Sequence, residues 1–353
     1  MDKGKRIAPL CGADAMLITD PFNMRYLSGF RGGEGILFIS RESRVLITDS
    51  RYTEAAAAES DFTVEEESRK LPRSEIVLEY VRREEIGSIG YEDSHMRCCE
   101  FSRLKAKLPE SIQWIPLGEK VNDLRAVKSE EEIELLRKAE AIGDAAFADI
   151  LKFIRKGMSE LEIAAELEYR MKKHGAQGFS FDTIIASGPN SSMPHAIPSE
   201  RKLRDGDFVT MDFGCRYEGY CSDMTRTIAI GSISEKQEEI YSIVLEAQNA
   251  ALSNLRAGIT GEVGDQFARS VIQSGGYGNC FGHALGHSVG LFIHENPRLG
   301  PGSADILKPN MIETVEPGIY VPGFCGVRIE DMVVIREDGI ENLTHSPKDL
   351  IIL

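Results

Sequence analysis

The sequence predicts two domains of different class: an α/β domain over residues 1–125, then an α+β domain over residues 126–353. Three observations carry that reading. The chain has 353 residues, longer than one hydrophobic core usually serves, and 42% of them are hydrophobic, enough to build sizeable cores. The first third alternates strand-like with helix-like segments, the pattern of a sheet layered with helices. The remainder changes to capped amphipathic helices flanking Gly-punctuated strand pairs.

Taken in order, Ala15–Thr19, Gly35–Ser40 and Arg44–Asp49 are short apolar runs between turn residues and read as strands. Arg51–Glu59 and Glu75–Glu84 have helical composition, and Ile86–Tyr91 and Ile112–Leu117 read as further strands. The pattern lapses between about Gly118 and Lys128, where the domain boundary is placed. Ser129 then opens a long helix with Glu132 three residues on, a capping box in which each side chain bonds the other residue's backbone N–H. Ser159 with Glu162 and Ser234 with Gln237 repeat the device. Strand pairs follow at Asp207–Ile230 and Ile312–Ile335, so "helices, then an acidic hairpin" occurs twice.

Charge narrows the partners. Lys and Arg number 41 against 56 Asp and Glu, a net −15, of which residues 1–125 hold −3 and residues 126–353 hold −12. Nucleic-acid affinity rests on clustered cations that neutralise phosphates, so a polynucleotide partner is excluded. Seven cysteines without C-x-x-C spacing predict reduced thiols rather than a disulfide framework or a zinc knuckle. The first thirty residues lack an uninterrupted apolar run, and no stretch approaches the roughly 18 apolar residues of a membrane span. A cytoplasmic protein with no membrane partner is expected.

The acidity has a pattern inside the two hairpins. If the first turn centres between Tyr217 and Glu218, Asp212 lies directly opposite Asp223. If the second centres on Gly323, Glu316 lies opposite Glu330. An isolated acid in so acidic a chain is ordinarily a solvated surface position. Two facing pairs embedded among Val209, Met211, Phe213, Val315 and Ile319 are not, because like charges across a strand pair destabilise it unless neutralised. Four inward carboxylates call for a cation, and more than one. Six of the seven histidines fall in residues 126–353, and His195, His283, His287 and His294 among them are the candidates. One imidazole with four carboxylates makes a two-metal set whose hard oxygen donors favour Mn²⁺, Co²⁺ or Fe²⁺.

These words together resemble a family. Asp212 in M-D-F-G, Asp223 in S-D-M-T-R-T, His287 in G-H-S-V-G-L, Glu316 in E-P-G-I-Y and Glu330 in R-I-E-D match the five metal ligands of the M24 metallopeptidases, in order and identity, over residues 126–353. The α/β segment ahead of them is similar to the prolidase, aminopeptidase P and creatinase branch. The resemblance implies a pita-bread catalytic domain behind a creatinase-like N-terminal domain, in a homodimer. It implies two divalent ions per chain, most often Mn²⁺, with Co²⁺, Fe²⁺ or Zn²⁺ as alternatives, and a metal-bridged hydroxide that attacks the Xaa–Pro bond of a di- or oligopeptide. Under the same resemblance Asp212 chelates one metal, Asp223 and Glu330 bridge both, and His287 and Glu316 complete the shells. Glu316 also carries the proton to the departing proline nitrogen. His195 in M-P-H-A and His294 in I-H-E-N-P match the family histidines that hold the substrate carbonyl. Arg328 matches an arginine beside the metals, Arg298 is a candidate for a substrate carboxylate or a dimer contact, and His283 matches a pocket position. The competing reading is an inactive pita-bread binding module. Such modules lose metal ligands, and this sequence has all five.

Overall fold

The computed structural model describes residues 11–353; residues 1–10, part of the stretch read for a leader, lie outside the described residues. The chain divides into two compact units, one ending at Arg125 and the other running from Ala126 to Leu353.

The first unit is built on a six-stranded sheet of β1 (Ala15–Ile18), β2 (Ile36–Ser40), β3 (Arg44–Asp49), β4 (Thr63–Glu67), β5 (Ser88–Tyr91) and β6 (Gln113–Pro116), in the order β4-β3-β2-β1-β5-β6. β1 is antiparallel to β2 and parallel to β5. Its central strands are apolar at successive positions because both faces are covered. Ala15, Leu17, Ile36 and Phe38 pack on one side with Ile76, Val77 and Val81 of the helix Arg73–Arg83. Met16, Ile18, Leu37 and Ile39 pack on the other with Met24 and Leu27 of the helix Pro21–Ser28.

The second unit has two hydrophobic cores, each a helix pair laid on strands. One joins the helices Glu130–Ile150 and Glu160–Lys173 to β8 (Ile184–Ser187), β9 (Phe208–Phe213) and β12 (Met224–Ala229). Beside them runs a small sheet of β7 (Gly178–Phe179), β10 (Cys215–Tyr217) and β11 (Tyr220–Cys221). The other core joins the helices Glu235–Asn254 and Gly261–Ser274 to the sheet of β13 (Gly286–Ser288), β14 (Glu295–Leu299), β15 (Ile312–Val315), β18 (Asp331–Arg336) and β19 (Gly339–Asn342), with the ribbon of β16 (Gly318–Val321) and β17 (Cys325–Arg328). All three capping boxes form, at Ser129, Ser159 and Ser234. The helix Gly261–Ser274 has no such sequence signature, because Thr260 caps the backbone of Val263, which cannot reciprocate. Among the described residues no helix is long and apolar enough to cross a membrane.

One predicted register is overturned. The first hairpin turns at Glu218–Gly219, both at positive φ (44° and 77°), a two-residue turn that pairs Tyr217 with Tyr220. Asp212 therefore faces Thr225, not Asp223. The second hairpin keeps the predicted register on both sides of its acids, with Gly318 opposite Arg328 and Val315 opposite Asp331, so Glu316 and Glu330 meet where the two sheets part.

Candidate metal centre

Strand alternation delivers the acids to one place. Val209, Met211 and Phe213 point into the first core, which turns Asp212 to the opposite face; Thr225 shares that face, and Asp223 follows it two residues back. The shifted register thus makes Asp212 and Asp223 diagonal rather than direct neighbours, still within side-chain reach. In the second core Val315, Val327 and Ile329 point inward, which turns Glu316, Arg328 and Glu330 away from it. At the break between sheets the Glu316 N–H donates to Leu285 O (2.9 Å) and the Glu330 N–H to Thr225 O (3.1 Å), so neighbouring strands fix both acids.

Asp212, Asp223 and Glu330 each bring one carboxylate oxygen within 4.8 Å of the others'. Glu316 reaches them through His287, whose Nε2 stands 3.6 Å from Asp223 Oδ2 and 3.5 Å from Glu316 Oε1, longer than an ordinary N–H···O bond. His287 Nδ1 lies 3.2 Å from Ser288 O, a carbonyl that can only accept, so the ring proton sits on Nδ1 and Nε2 keeps its lone pair toward the acids. Burial, then the neighbouring His294, pushes the His287 pKa down to about 4, which keeps the ring neutral.

The carboxylates strain against one another. Burial, then Glu330, Asp212 and Glu316, raises Asp223 well above its ordinary value, and burial, then Glu316 and Asp212, does the same to Glu330. Glu316 is pushed up to about 8 by burial, against the lowering effect of Arg328. Asp212 Oδ2 accepts from Arg328 Nη2 (2.6 Å), while the buried Oδ1 has no hydrogen-bond partner among the described residues. An unpartnered buried carboxylate oxygen beside three more acids and a free imidazole lone pair fits a divalent cation, with oxygen donors in the majority.

These shifts set a stability profile for the metal-free protein. Acids whose folded pKa is raised bind more protons folded than unfolded, so stability falls as pH rises toward the folded value. The neutral, buried His283 and His287, both lowered to about 4, act oppositely below their ordinary 6.5. Between pH 6.5 and 8 the carboxylates act alone, so the Tm of chelator-treated protein is expected to fall across that window, and to level out when a divalent metal is added. A flat profile in the chelated sample would contradict the buried cluster.

A cavity of about 720 Å³ opens on the acids, and His195, His283, His294 and Arg298 line it. β14 alternates, burying Glu295, Pro297 and Leu299 and exposing Arg298, and His294 just ahead of it is exposed as well. The His294 ring meets that of His287 edge-on at 4.5 Å, and burial, then Arg298, lowers its pKa. Arg298 makes no salt bridge among the described residues, so its guanidinium is available to a ligand. His195 is exposed on the loop after β8. His283 is placed away from the acids: Nδ1 faces Ala284 O (2.8 Å) and Nε2 faces Tyr320 Oη (3.0 Å). Because Arg328 Nη1 donates to the same Oη (2.8 Å), the Tyr320 proton goes to His283 Nε2.

Supporting residues absent from the sequence reading complete the shell. Thr225 Oγ1 donates to Glu330 Oε2 (2.7 Å) and Thr314 Oγ1 to Glu316 Oε1 (3.1 Å). The wholly buried Glu140 accepts the Asp223 N–H (3.3 Å) and the Thr344 hydroxyl (2.7 Å). Glu140 alone carried a sequence signal, a charge on the apolar stripe of Leu136, Ala139 and Gly143.

Comparison with known proteins follows the same division of the chain. The sequence model of Metallopeptidase family M24 matches residues 134–337, and that of the Creatinase/Prolidase N-terminal domain matches residues 11–127. An uncharacterized peptidase of Bacillus subtilis is 42% identical over 354 aligned residues, covering 100% of this chain and 99% of its own. An Xaa-Pro dipeptidase of Pyrococcus horikoshii is 41% identical over 340 residues, 96% of this chain and 94% of its own. Among solved structures, an Xaa-Pro dipeptidase from Bacillus anthracis superposes with a TM-score of 0.95 at 43% identity, covering 99% and 98% of the two chains. An X-Pro aminopeptidase from Thermotoga maritima superposes at 0.92 with 41% identity, covering 99% and 100%.

Proposed function

This chain belongs to metallopeptidase family M24, and from that membership we propose that it hydrolyses Xaa–Pro bonds, with Xaa-Pro dipeptides as its preferred substrates. The observation that carries the reading is the convergence of four carboxylates and His287 Nε2 on one cavity that Arg298, without a salt bridge among the described residues, also lines. An inactive binding module would be marked by a broken acid set, and this set is complete.

Asp212, Asp223, His287, Glu316 and Glu330 would hold two divalent cations, with Mn²⁺ favoured by the oxygen-rich donors. When bound, such ions supply an ionised water near neutral pH and polarise a carbonyl, which explains hydrolysis without a Ser or Cys nucleophile. The protein's own groups do the rest. Glu316 would take a proton from the attacking water on its carboxylate and deliver it to the proline nitrogen. That nitrogen belongs to a tertiary amide and leaves only when protonated. His195 and His294 stand on the cavity wall, where ring N–H groups can hold the substrate carbonyl and the negative charge that grows on it. Arg298 would clamp the proline carboxylate, a group that a dipeptide has and an internal proline lacks.

Two results test this. With Mn²⁺ added, Gly-Pro should be cleaved faster than a longer Gly-Pro-Xaa peptide, and Arg298→Ala should raise KM for the dipeptide about tenfold or more. Equal turnover of both peptides by wild type and variant would remove the dipeptidase assignment, and cleavage of neither would favour a binding module. His294→Ala should lower kcat by roughly 10²-fold while metal content by elemental analysis stays at the wild-type level. Loss of metal instead would make His294 a ligand.

A further inference from the structure

We infer that Glu160, buried at the start of the helix Glu160–Lys173, is a positioning residue for His195, fixing the loop 188–198 from both of its ends. The loop leaves β8 at Ser187, makes one tight helical turn over Gly188–Ser192 and carries His195 to the cavity wall. Its middle has little packing beyond the buried Ala196: Met193 and Ile197 are 51% and 85% exposed, and His195 is exposed between them. Apolar burial therefore does little to hold the imidazole in place.

Glu160 supplies what packing does not. Its Oε1 accepts from the Ser187 N–H (2.7 Å), Ser187 Oγ (2.7 Å) and Asn190 Nδ2 (3.0 Å). Its Oε2 accepts from the same Asn190 Nδ2 (3.2 Å), the Ser199 N–H (3.0 Å) and Ser199 Oγ (2.6 Å). One carboxylate thus closes the loop at residues 187 and 199 and grips its helical turn between them. The Arg201 guanidinium then extends the tie: Nη1 donates to Ser187 Oγ (2.6 Å), and the pair of nitrogens bonds both oxygens of Asp207, which leads directly into β9 and Asp212. On the far side Ser191 Oγ accepts the Gly326 N–H (2.8 Å), two residues before Arg328. The loop is referenced at its ends and centre to the strands that carry the acids. A carboxylate fits this task because all six contacts are donors, and an amide in its place would turn an N–H toward one set of them.

The inference rests on the reading of His195 as a substrate contact, so the experiment separates the two. Glu160→Gln, His195→Ala and the double variant are assayed with an Xaa-Pro dipeptide at saturating Mn²⁺, with metal content measured alongside. Glu160→Gln should lower kcat by roughly 10- to 100-fold with KM changed less than about threefold and metal content unchanged, the scale of misplacing a group by about 1 Å. In the His195→Ala background the same substitution should cost less than about twofold, since the group it places is gone. A general loss of structure would lower kcat by the same factor in both backgrounds, and that result overturns the inference, as does wild-type kcat in Glu160→Gln. Wild-type kcat in His195→Ala overturns the reading of His195 itself, and the inference with it. If Glu160→Gln does not fold, Ser199→Ala, which removes one donor from Oε2, carries the same comparison. A several-fold drop confined to the His195 background supports the inference, and an unchanged kcat overturns it.

Discussion

Asp223→Asn is expected to abolish hydrolysis and, at the same time, to raise the melting temperature of the metal-free protein. Asp223 is 4% exposed and stands among Glu330, Asp212, Glu316 and Glu140, which together with burial hold its pKa far above the ordinary carboxylate range. Without cations the fold must either keep a proton there or bear the repulsion, and both cost stability near neutral pH. The amide keeps the volume and removes the charge. Each kcal/mol recovered raises Tm by about 2–4 °C in a chain of this size, so a gain of a few degrees is expected in chelator. Metal should then stabilise the variant less than wild type, because ligand-linked stability scales with affinity. Activity should fall by roughly 10⁴-fold or more, as when one member of an interdependent set is removed. The measurements are thermal melts with and without Mn²⁺, metal stoichiometry by elemental analysis, and dipeptide turnover. A variant that keeps full stoichiometry and turnover, or that melts lower than wild type in chelator, would contradict a shared cation site.

The acid words were readable because period-two alternation in a strand marks each inward position one residue at a time, and apolar residues on both sides of Asp212 and Glu316 declared the acids' face. Register was readable only where the turn was unambiguous. Gly323, at φ 73°, centres its hairpin as expected. In the first hairpin Glu218 takes a positive φ that Asn, Asp or Gly would have advertised; the turn centre moved by one residue and each cross-strand partner by two. The error did not scatter the site, since Asp212 and Asp223 remained on one face. The unread remainder is contributed at long range: Thr225 to Glu330 spans 105 positions, and Glu140 to Thr344 spans 204. No local pattern states such a contact. In the first unit, β4 and the helices Pro21–Ser28 and Cys98–Lys107 were not assigned from sequence. β4, as Thr-Val-Glu-Glu-Glu at the sheet edge, has little apolar alternation to reveal it.

Arg328→Met should have the opposite effect on the metal-free protein, destabilising it by about 3–5 kcal/mol, which lowers Tm by roughly 10 °C. Arg328 is 3% exposed, and its guanidinium is fully committed: Nη2 to Asp212 Oδ2 (2.6 Å), Nη1 to Tyr320 Oη (2.8 Å) and Nε to Thr225 Oγ1 (3.0 Å). Burial alone would push its pKa down, yet Tyr320, Asp212 and Glu316 raise it above the ordinary value, so the charge is held in place by its neighbours. The reverse dependence matters more. Arg328 lowers both Glu316 and Glu330, so its loss leaves the buried acids facing one another without a compensating cation. Methionine fills most of the space, and the deficit is therefore chiefly electrostatic. Two measurements separate charge from packing. Saturating Mn²⁺ should recover most of the lost Tm, because divalent ions restore positive charge at the same acids. The double variant Asp212→Asn with Arg328→Met should melt above Arg328→Met alone in chelator, since deleting the stranded carboxylate removes the penalty of leaving it unpaired. If the double variant melted no higher than the single one, the cost would lie in packing. Arg328 would then serve to hold Tyr320 and Thr225 in place rather than to balance the acids that gather the metals.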